Sequence, residues 1–442
     1  MADRDKGLAV CRLPPGAPGG VTGPSYSGGA WRREQRSYRL RVMERIAFRN
    51  ALLLDPEASS PAPGGLVVEG GRIMDTLAPG QRIEDAREVD LAGRALSPGF
   101  LDLHFHGELV FAGPGELHDM LRRTAAAQLR HGVTGFLATT MAWGPERLAR
   151  HLDEIASFMT QSNRVNDAAL LGVHLEGPWI NPAAAGAQPA EATRSFSASD
   201  EKELLPRTDG LVKMVTLAPE LPGSERLLDA LARRSVVAAL GHSLADRASI
   251  DAGIASGMTH VTHLFNAMGP MHQREPGVAG HALADDRLSC DVICDGEHVH
   301  PAMLKLAARA KGDRLILITD RIELPGAAGQ RAGSEAAVSA ASFGSGAVLD
   351  DGRALRLADG RLAGSSLTLD RALRNARSFG VMNRLEAVAA STLRPARVLG
   401  IESERGTLRR GARADLVVLD ESDRVQETWL GGERVFARES RD

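Results

Sequence analysis

Five apolar runs in this chain reach residues that can hold a metal ion or carry a proton. They are Phe100-Leu101-Asp102-Leu103-His104-Phe105-His106, 170–176 with His174 and Glu176, 236–242 ending on His242, His260-Val261-Thr262-His263, and 315–320 ending on Asp320. Side chains alternate along a strand, so His104 and His106 share one face with Asp102 beneath them. Two imidazoles at i and i+2 can chelate one ion. Carboxylates are seldom buried unless paired or metal-bound, which singles out Glu176. With His242 and His263 it makes a His/His/Glu set, an ordinary zinc ligation that leaves room for water. His104 and His106 would add a second metal position beside it. Asp320 fits a general base that takes a proton from an ion-activated water and returns it to a leaving group. Its structural alternative is a helix N-cap. His174 sits deeper on the face of Glu176 and reads as a packed or supporting histidine. His298 and His300 repeat the H-x-H spacing, but Pro301 places them at a strand-to-helix turn.

Runs of this length, bounded by Gly and polar residues, read as buried strands. Spaced by helix-length segments, they predict parallel strands whose C-terminal ends converge on one site. One unit is especially legible. Strand 236–242 is followed by Ser243 and Asp246 in capping-box spacing, a helix to about Ser256, a stop at Gly257 and a strand ending at His263. Several such units predict an α/β chain with a TIM-like (β/α)8 barrel over residues 98–400. A doubly wound sheet is the weaker alternative, since no G-x-G-x-x-G or P-loop pattern occurs. Residues 43–97 and 401–442 read as short strands with Gly-rich turns, a small β-sandwich built from both chain ends. Residues 1–42 differ. Pro and Gly dominate 14–29, five Arg follow between Arg32 and Arg41, and both tyrosines lie here. The expectation is a disordered tail, or a start placed too early with Met43 the true beginning.

Composition narrows the function. A net charge of −3 over 442 residues gives no electrostatic case for nucleic acid or a membrane surface. No apolar run is long enough for a transmembrane helix. Three cysteines, Cys11, Cys290 and Cys294, make no disulfide framework, and buried reduced thiols in a cytoplasmic protein are expected.

Pro98-Gly99-Phe100-Leu101-Asp102-Leu103-His104-Phe105-His106-Gly107 resembles the first barrel strand of the amidohydrolase superfamily. Within it, His174-Leu175-Glu176-Gly177-Pro178-Trp179, Gly241-His242-Ser243, Thr262-His263-Leu264-Phe265-Asn266-Ala267-Met268 and Arg274-Glu275-Pro276-Gly277 resemble the N-acetylglucosamine-6-phosphate deacetylases. So do Asp295-Gly296-Glu297-His298-Val299, Thr319-Asp320, Leu362-Ala363-Gly364-Ser365 and Gly411–Leu419. The likeness covers about residues 44–440. It implies that Glu176, His242 and His263 bind the principal ion, with His104 and His106 available for a second. Asp320 would be the acid/base. Asn266, Ala267 and Arg274 would hold a sugar phosphate, His298 would contact substrate near the scissile amide, and Leu362, Ala363 and Gly364 would line the pocket. A homodimer is implied, because this Arg can reach across the subunit interface in the family. The cofactor would be one or two divalent ions, zinc, iron, cobalt or manganese.

Two departures bear on the substrate. The family commonly has Gly-Ala-His where this chain has Gly186-Ala187-Gln188, so Ala187 and Gln188 would face substrate without a cationic side chain. The residue after the catalytic Asp is usually small, and here it is Arg321, which could narrow the pocket, depress the Asp320 pKa or point away. Residues 326–347, rich in Gly, Ala and Ser, suggest a mobile loop near the site. The implied reaction converts N-acetylglucosamine 6-phosphate to glucosamine 6-phosphate and acetate. Alternatives are the galactosamine epimer, a cyclic-amide hydrolase with a carbamylated lysine, and a non-catalytic metal-binding protein on the same fold.

Overall fold

The computed structural model describes residues 44–161, 166–324, 342–343, 346–350 and 354–439. The expected tail, with Cys11, and most of the Gly/Ala/Ser-rich stretch lie outside the described residues.

Eight strands form the barrel wall: β6 (Phe100–Gly107), β7 (Val133–Thr139), β8 (Ala169–Glu176), β9 (Val212–Leu217), β10 (Val237–Leu240), β11 (Met258–Val261), β12 (Ser289–Ile293) and β13 (Leu315–Ile318). Each pairs in parallel with the next. All five runs singled out in the sequence are among them. The ring closes through Thr319 and Asp320. The Asp320 N–H donates to the His104 carbonyl at 2.9 Å, and β14 (Arg321–Ile322) pairs in parallel with β6. Thr319 Oγ1 donates to Asp102 Oδ2 at 2.6 Å. Asp102, placed beneath the histidines by strand periodicity, therefore clamps the seam between first and last strands. Burial pushes its carboxyl up to about 6, against the hydrogen bonds from Thr319 and His104.

Helices cover the outside. The Pro145–Gln161 helix buries Leu148, Leu152, Ile155 and Phe158, an apolar stripe at helical spacing that packs on the barrel core. In the Arg247–Ala255 helix the N-cap is Asp246, which accepts the Ser249 N–H at 2.9 Å. Ser243, expected to open that helix, instead donates its hydroxyl to Glu220 Oε2 at 2.7 Å. The stop is as expected: Ser256 caps the helix and Gly257 has φ +100°. His300 caps the Pro301–Lys311 helix by accepting the Ala302 N–H, the strand-to-helix turn that Pro301 signalled.

Both chain ends build a second sheet. Its strands are β1 (Ile46–Leu53), β2 (Ala62–Glu69), β3 (Arg72–Leu77), β4 (Arg87–Asp90) and β5 (Ala95–Pro98), with β18 (Leu416–Leu419), β19 (Val425–Leu430) and β20 (Glu433–Ala437). The order is β20-β19-β18-β5-β1-β2-β3, with β4 beside β1. Strand β18 shows why both faces are apolar. Leu416 and Val418 pack with Phe48 and Trp429 of the end sheet, while Val417 and Leu419 join the barrel core. No helix among the described residues is long and apolar enough to cross a membrane. Cys290 and Cys294 are buried and free, and burial pushes both thiols up to about 12, so they are chemically quiet.

The helix Leu369–Ser378 is held by a buried charge. Asp370 Oδ1 lies 3.2 Å from His131 Nδ1, and Arg374 Nη1 donates to Oδ2 at 2.7 Å. Burial alone would raise the carboxyl, but the His131 bond and the charges of His131 and Arg374 hold it well below the usual range. A depressed folded pKa stabilises above the unfolded value of about 4, and that contribution disappears as pH falls through the folded value. Asp370→Asn is expected to cost about 2 kcal/mol at pH 7. Thermal melts should show a lower midpoint for the variant at pH 7 and converging midpoints below pH 4. Equal midpoints at pH 7 would contradict this.

Candidate metal and catalytic site

The C-terminal ends of the barrel strands bring six residues from five segments together. His242 Nε2 and His263 Nε2 lie 2.9 and 3.0 Å from Glu176 Oε1, and 3.0 Å from each other. On the other side, His106 Nε2 is 3.2 Å from Glu176 Oε2, and His104 Nε2 is 3.3 Å from His106 Nε2. Glu176 thus belongs to two ligand groups, Glu176/His242/His263 and His104/His106/Glu176, all buried. Asp320 Oδ1 sits 3.4 Å from His104 Nε2 and 3.2 Å from His106 Nε2.

The local backbone explains the convergence. His242, His263 and Asp320 have φ of +48°, +31° and +48°. Each is a non-glycine residue in the left-handed region, so the chain turns at the functional residue itself. Such conformations cost on the order of 1 kcal/mol each and persist where surrounding structure imposes them. Here neighbours fix the rings: His242 Nδ1 meets the Ala184 carbonyl at 2.9 Å and His106 Nδ1 the Thr139 carbonyl at 3.2 Å. Asp320 is followed by β14 and is not a helix cap.

The cluster requires positive charge. Glu176 and Asp320 are buried and held below the usual carboxylate range: burial would raise both, but His104 outweighs it, aided at Glu176 by His106 and His242 and at Asp320, held at about 2, by His106. Burial opposes charging His106 and His263, but hydrogen bonds and charge from the carboxylates outweigh it, raising them to about 10 and about 9. A divalent cation meets the same demand with ligands of the right type. The donor set and its convergence therefore fit an ion at each group.

Several of the residues expected near substrate lie beside this cluster. Gly364 has φ +71°, and a Cβ there would come 3.1 Å from the Asp320 carbonyl and 2.6 Å from Ile322 Cδ1. The Ser365 N–H donates to the Asp320 carbonyl at 2.8 Å, so Leu362-Ala363-Gly364 leads up to Asp320. Asn266 Nδ2 donates to the His263 carbonyl at 3.3 Å, and Ala267 lies near Gly186. His298 is held by Asp295, whose Oδ1 accepts the His298 N–H and whose Oδ2 lies 2.6 Å from Nδ1. Arg274 is exposed and has no ion pair among the described residues.

Both departures have definite places. Gln188 is buried, donates Nε2 to Glu176 Oε2 at 2.5 Å and accepts the Ala142 N–H at 2.8 Å. Arg321 points away from Asp320: Nη1 donates to the Ser366 carbonyl at 2.5 Å and Nε to Glu323 at 3.0 Å. Supporting residues escaped the sequence reading. His174 does pack under the site, but its partner is Thr216, 2.8 Å from Nε2. Asp291 accepts the His263 N–H and lies 3.0 Å from His260 Nε2. Their partners come from neighbouring barrel strands, and only cross-strand register reveals them.

Residues 95–435 match the profile of the amidohydrolase family. The chain is 37% identical over 386 residues to human N-acetylglucosamine-6-phosphate deacetylase, covering 84% of this chain and 91% of that protein. It is 35% identical over 382 residues to the Bacillus subtilis enzyme of that name, covering 86% and 94%. The solved complex of the Mycobacterium smegmatis deacetylase with N-acetyl-D-glucosamine-6-phosphate superposes with a TM-score of 0.78 at 30% identity, over 89% of this chain and 99% of that one. The chain belongs to the amidohydrolase family.

Proposed function

We propose that the protein hydrolyses the acetamide of N-acetylglucosamine 6-phosphate, giving glucosamine 6-phosphate and acetate. One observation carries this reading: Glu176, His242, His263, His104, His106 and Asp320 converge in a chain that matches deacetylases over nearly its full length. Glu176, His242 and His263 would hold the principal ion, and His104 and His106 with Glu176 a second. A bound divalent ion supplies Lewis-acid polarisation and brings the pKa of water to roughly 7.

The remaining work falls to side chains. Asp320 is ionised and lies beside His104 and His106, placed to take a proton from the attacking water and deliver it to the departing amine. Asp295 fixes His298 Nδ1, which leaves Nε2 to donate to the amide carbonyl when the ring carries both protons. Gln188 occupies Glu176 Oε2 and the Ala142 N–H in the free protein, and would exchange one of these bonds for a sugar hydroxyl. Ala187, Leu362, Ala363 and Gly364 give the sugar ring an uncharged wall. Arg321, directed elsewhere, leaves that wall open. Asn266, Ala267 and Arg274 would receive the phosphate, for which a guanidinium fork is suited.

A homodimer and a cytoplasmic location complete the reading. Met271 is 43% exposed on the segment that carries Arg274, as a subunit contact there requires. Arg274→Ala should raise KM for the phosphorylated sugar about 10- to 100-fold while changing kcat little, since a charge-assisted contact of about 1.5–3 kcal/mol is lost. Steady-state kinetics would check this, and an unchanged KM would remove the phosphate assignment.

A further inference from the structure

At the opposite mouth of the barrel, where β11, β12 and β13 begin, lies a cavity of about 290 Å³. Thr259, Ser289, Arg314, Arg394 and Arg397 supply its polar wall, with Ile316 and Val398 between them. Asp313 is the one carboxylate in the lining. It is 71% exposed, and its nearest contact with Arg314 is 4.0 Å. Three guanidinium groups therefore face one loosely held carboxylate.

Arg394 is the informative member. It is only 9% exposed, and Nη1 donates to the Leu315 carbonyl at 3.0 Å. That bond ties the Leu393–Val398 helix to the start of β13. It uses one of five N–H groups. Among the described residues no other acceptor and no ion pair is found for this side chain. A buried cation is costly, and an oxyanion in its fork offsets part of that cost. Desolvation accordingly depresses the Arg394 pKa despite Asp313 and Glu386 nearby. The neighbouring hydroxyl is already fixed, because Ser289 Oγ lies 2.7 Å from His260 Nδ1 and donates to the Thr259 carbonyl at 3.2 Å. The cationic donors open to an incoming group in this cavity are thus the guanidinium groups.

We propose that this cavity binds a small oxyanion of the phosphate or phosphate-monoester class, at a site separate from the one around Glu176. The volume exceeds that of a bare phosphate, and the apolar residues Ile316 and Val398 suit the carbon portion of an ester. Strand β11 starts here and leads to His263, and β13 starts here and leads to Asp320, so the two sites occupy opposite ends of β11 and β13.

Isothermal titration of the metal-loaded enzyme with inorganic phosphate, at constant ionic strength in chloride, tests the proposal. Three proteins are compared: wild type, Arg274→Ala and the double variant Arg314→Met/Arg397→Met. The double variant changes exposed side chains and keeps Arg394, so the fold is preserved, as its melting curve would verify. The expected result is one equivalent of phosphate binding that survives Arg274→Ala and weakens at least about 10-fold in the double variant, with turnover at low phosphate unchanged. An isotherm of the double variant that superposes on wild type overturns the proposal. So does loss of all phosphate binding on Arg274→Ala alone. A crystal of the wild type soaked in selenate should show the anion against Arg394, and its absence there would count equally against the site.

Discussion

Asp320→Asn is expected to lower kcat about 10³-fold, within the range for a positioned general acid–base. The substitution is nearly isosteric, so the fold should survive. The Asp320 contacts that close the barrel are backbone ones, to the His104 carbonyl and from the Ser365 N–H, and an asparagine keeps both. Among the described residues the side chain makes no hydrogen bond to a backbone group that would be lost. Ion content should stay near wild type, because Glu176, His242 and His263 are untouched. Loss of kcat with retained metal and an unchanged melting curve would identify Asp320 as the proton carrier. A variant that keeps more than about a tenth of wild-type turnover would show that the proton travels elsewhere.

Glu176→Gln should act one step earlier. Glu176 Oε1 faces His242 and His263 while Oε2 faces His106, so one carboxylate serves both ligand groups. Four-ligand zinc sites bind with roughly 10–16 kcal/mol, about 3 kcal/mol per ligand. Losing that ligand corresponds to about 10²-fold weaker binding, and the loss falls on both groups. His106→Asn, by contrast, touches only the His104/His106 group. Elemental analysis after dialysis separates the two. Glu176→Gln should come through nearly metal-free, while His106→Asn keeps the ion held by His242 and His263. Wild-type metal content in Glu176→Gln would mean that the cluster is not the ion site.

The ligands were legible because they lie at or near the ends of apolar runs. A parallel barrel places strand ends together, so the end residue of each run is also its functional residue. The same logic located His174, since two positions back on one face of a strand is one layer deeper. It did not reach Thr216, Thr319 or Asp291. Thr216 and Asp291 lie within strands and Thr319 just past one, and their roles come from registers between segments far apart in sequence. The seam between Asp102 and Thr319 joins residues 217 positions apart. Nor could the pattern show that the chain turns left-handed at His242, His263 and Asp320, because non-glycine side chains rarely adopt that backbone. Ser243 was misplaced as a helix cap for a related reason. Its spacing to Asp246 satisfied the motif, but Glu220, contributed by the neighbouring barrel unit, captures the hydroxyl. Resemblance supplied what periodicity lacked for Asn266, Arg274 and His298, which sit on connecting segments with no repeating pattern.

The shortest route to the central claim is acetate release. Purified, metal-loaded protein incubated with N-acetylglucosamine 6-phosphate should form acetate and glucosamine 6-phosphate in equal amounts, and chelation should stop it. Repeated substrate addition with no acetate, from protein shown to carry its ion, would contradict the account.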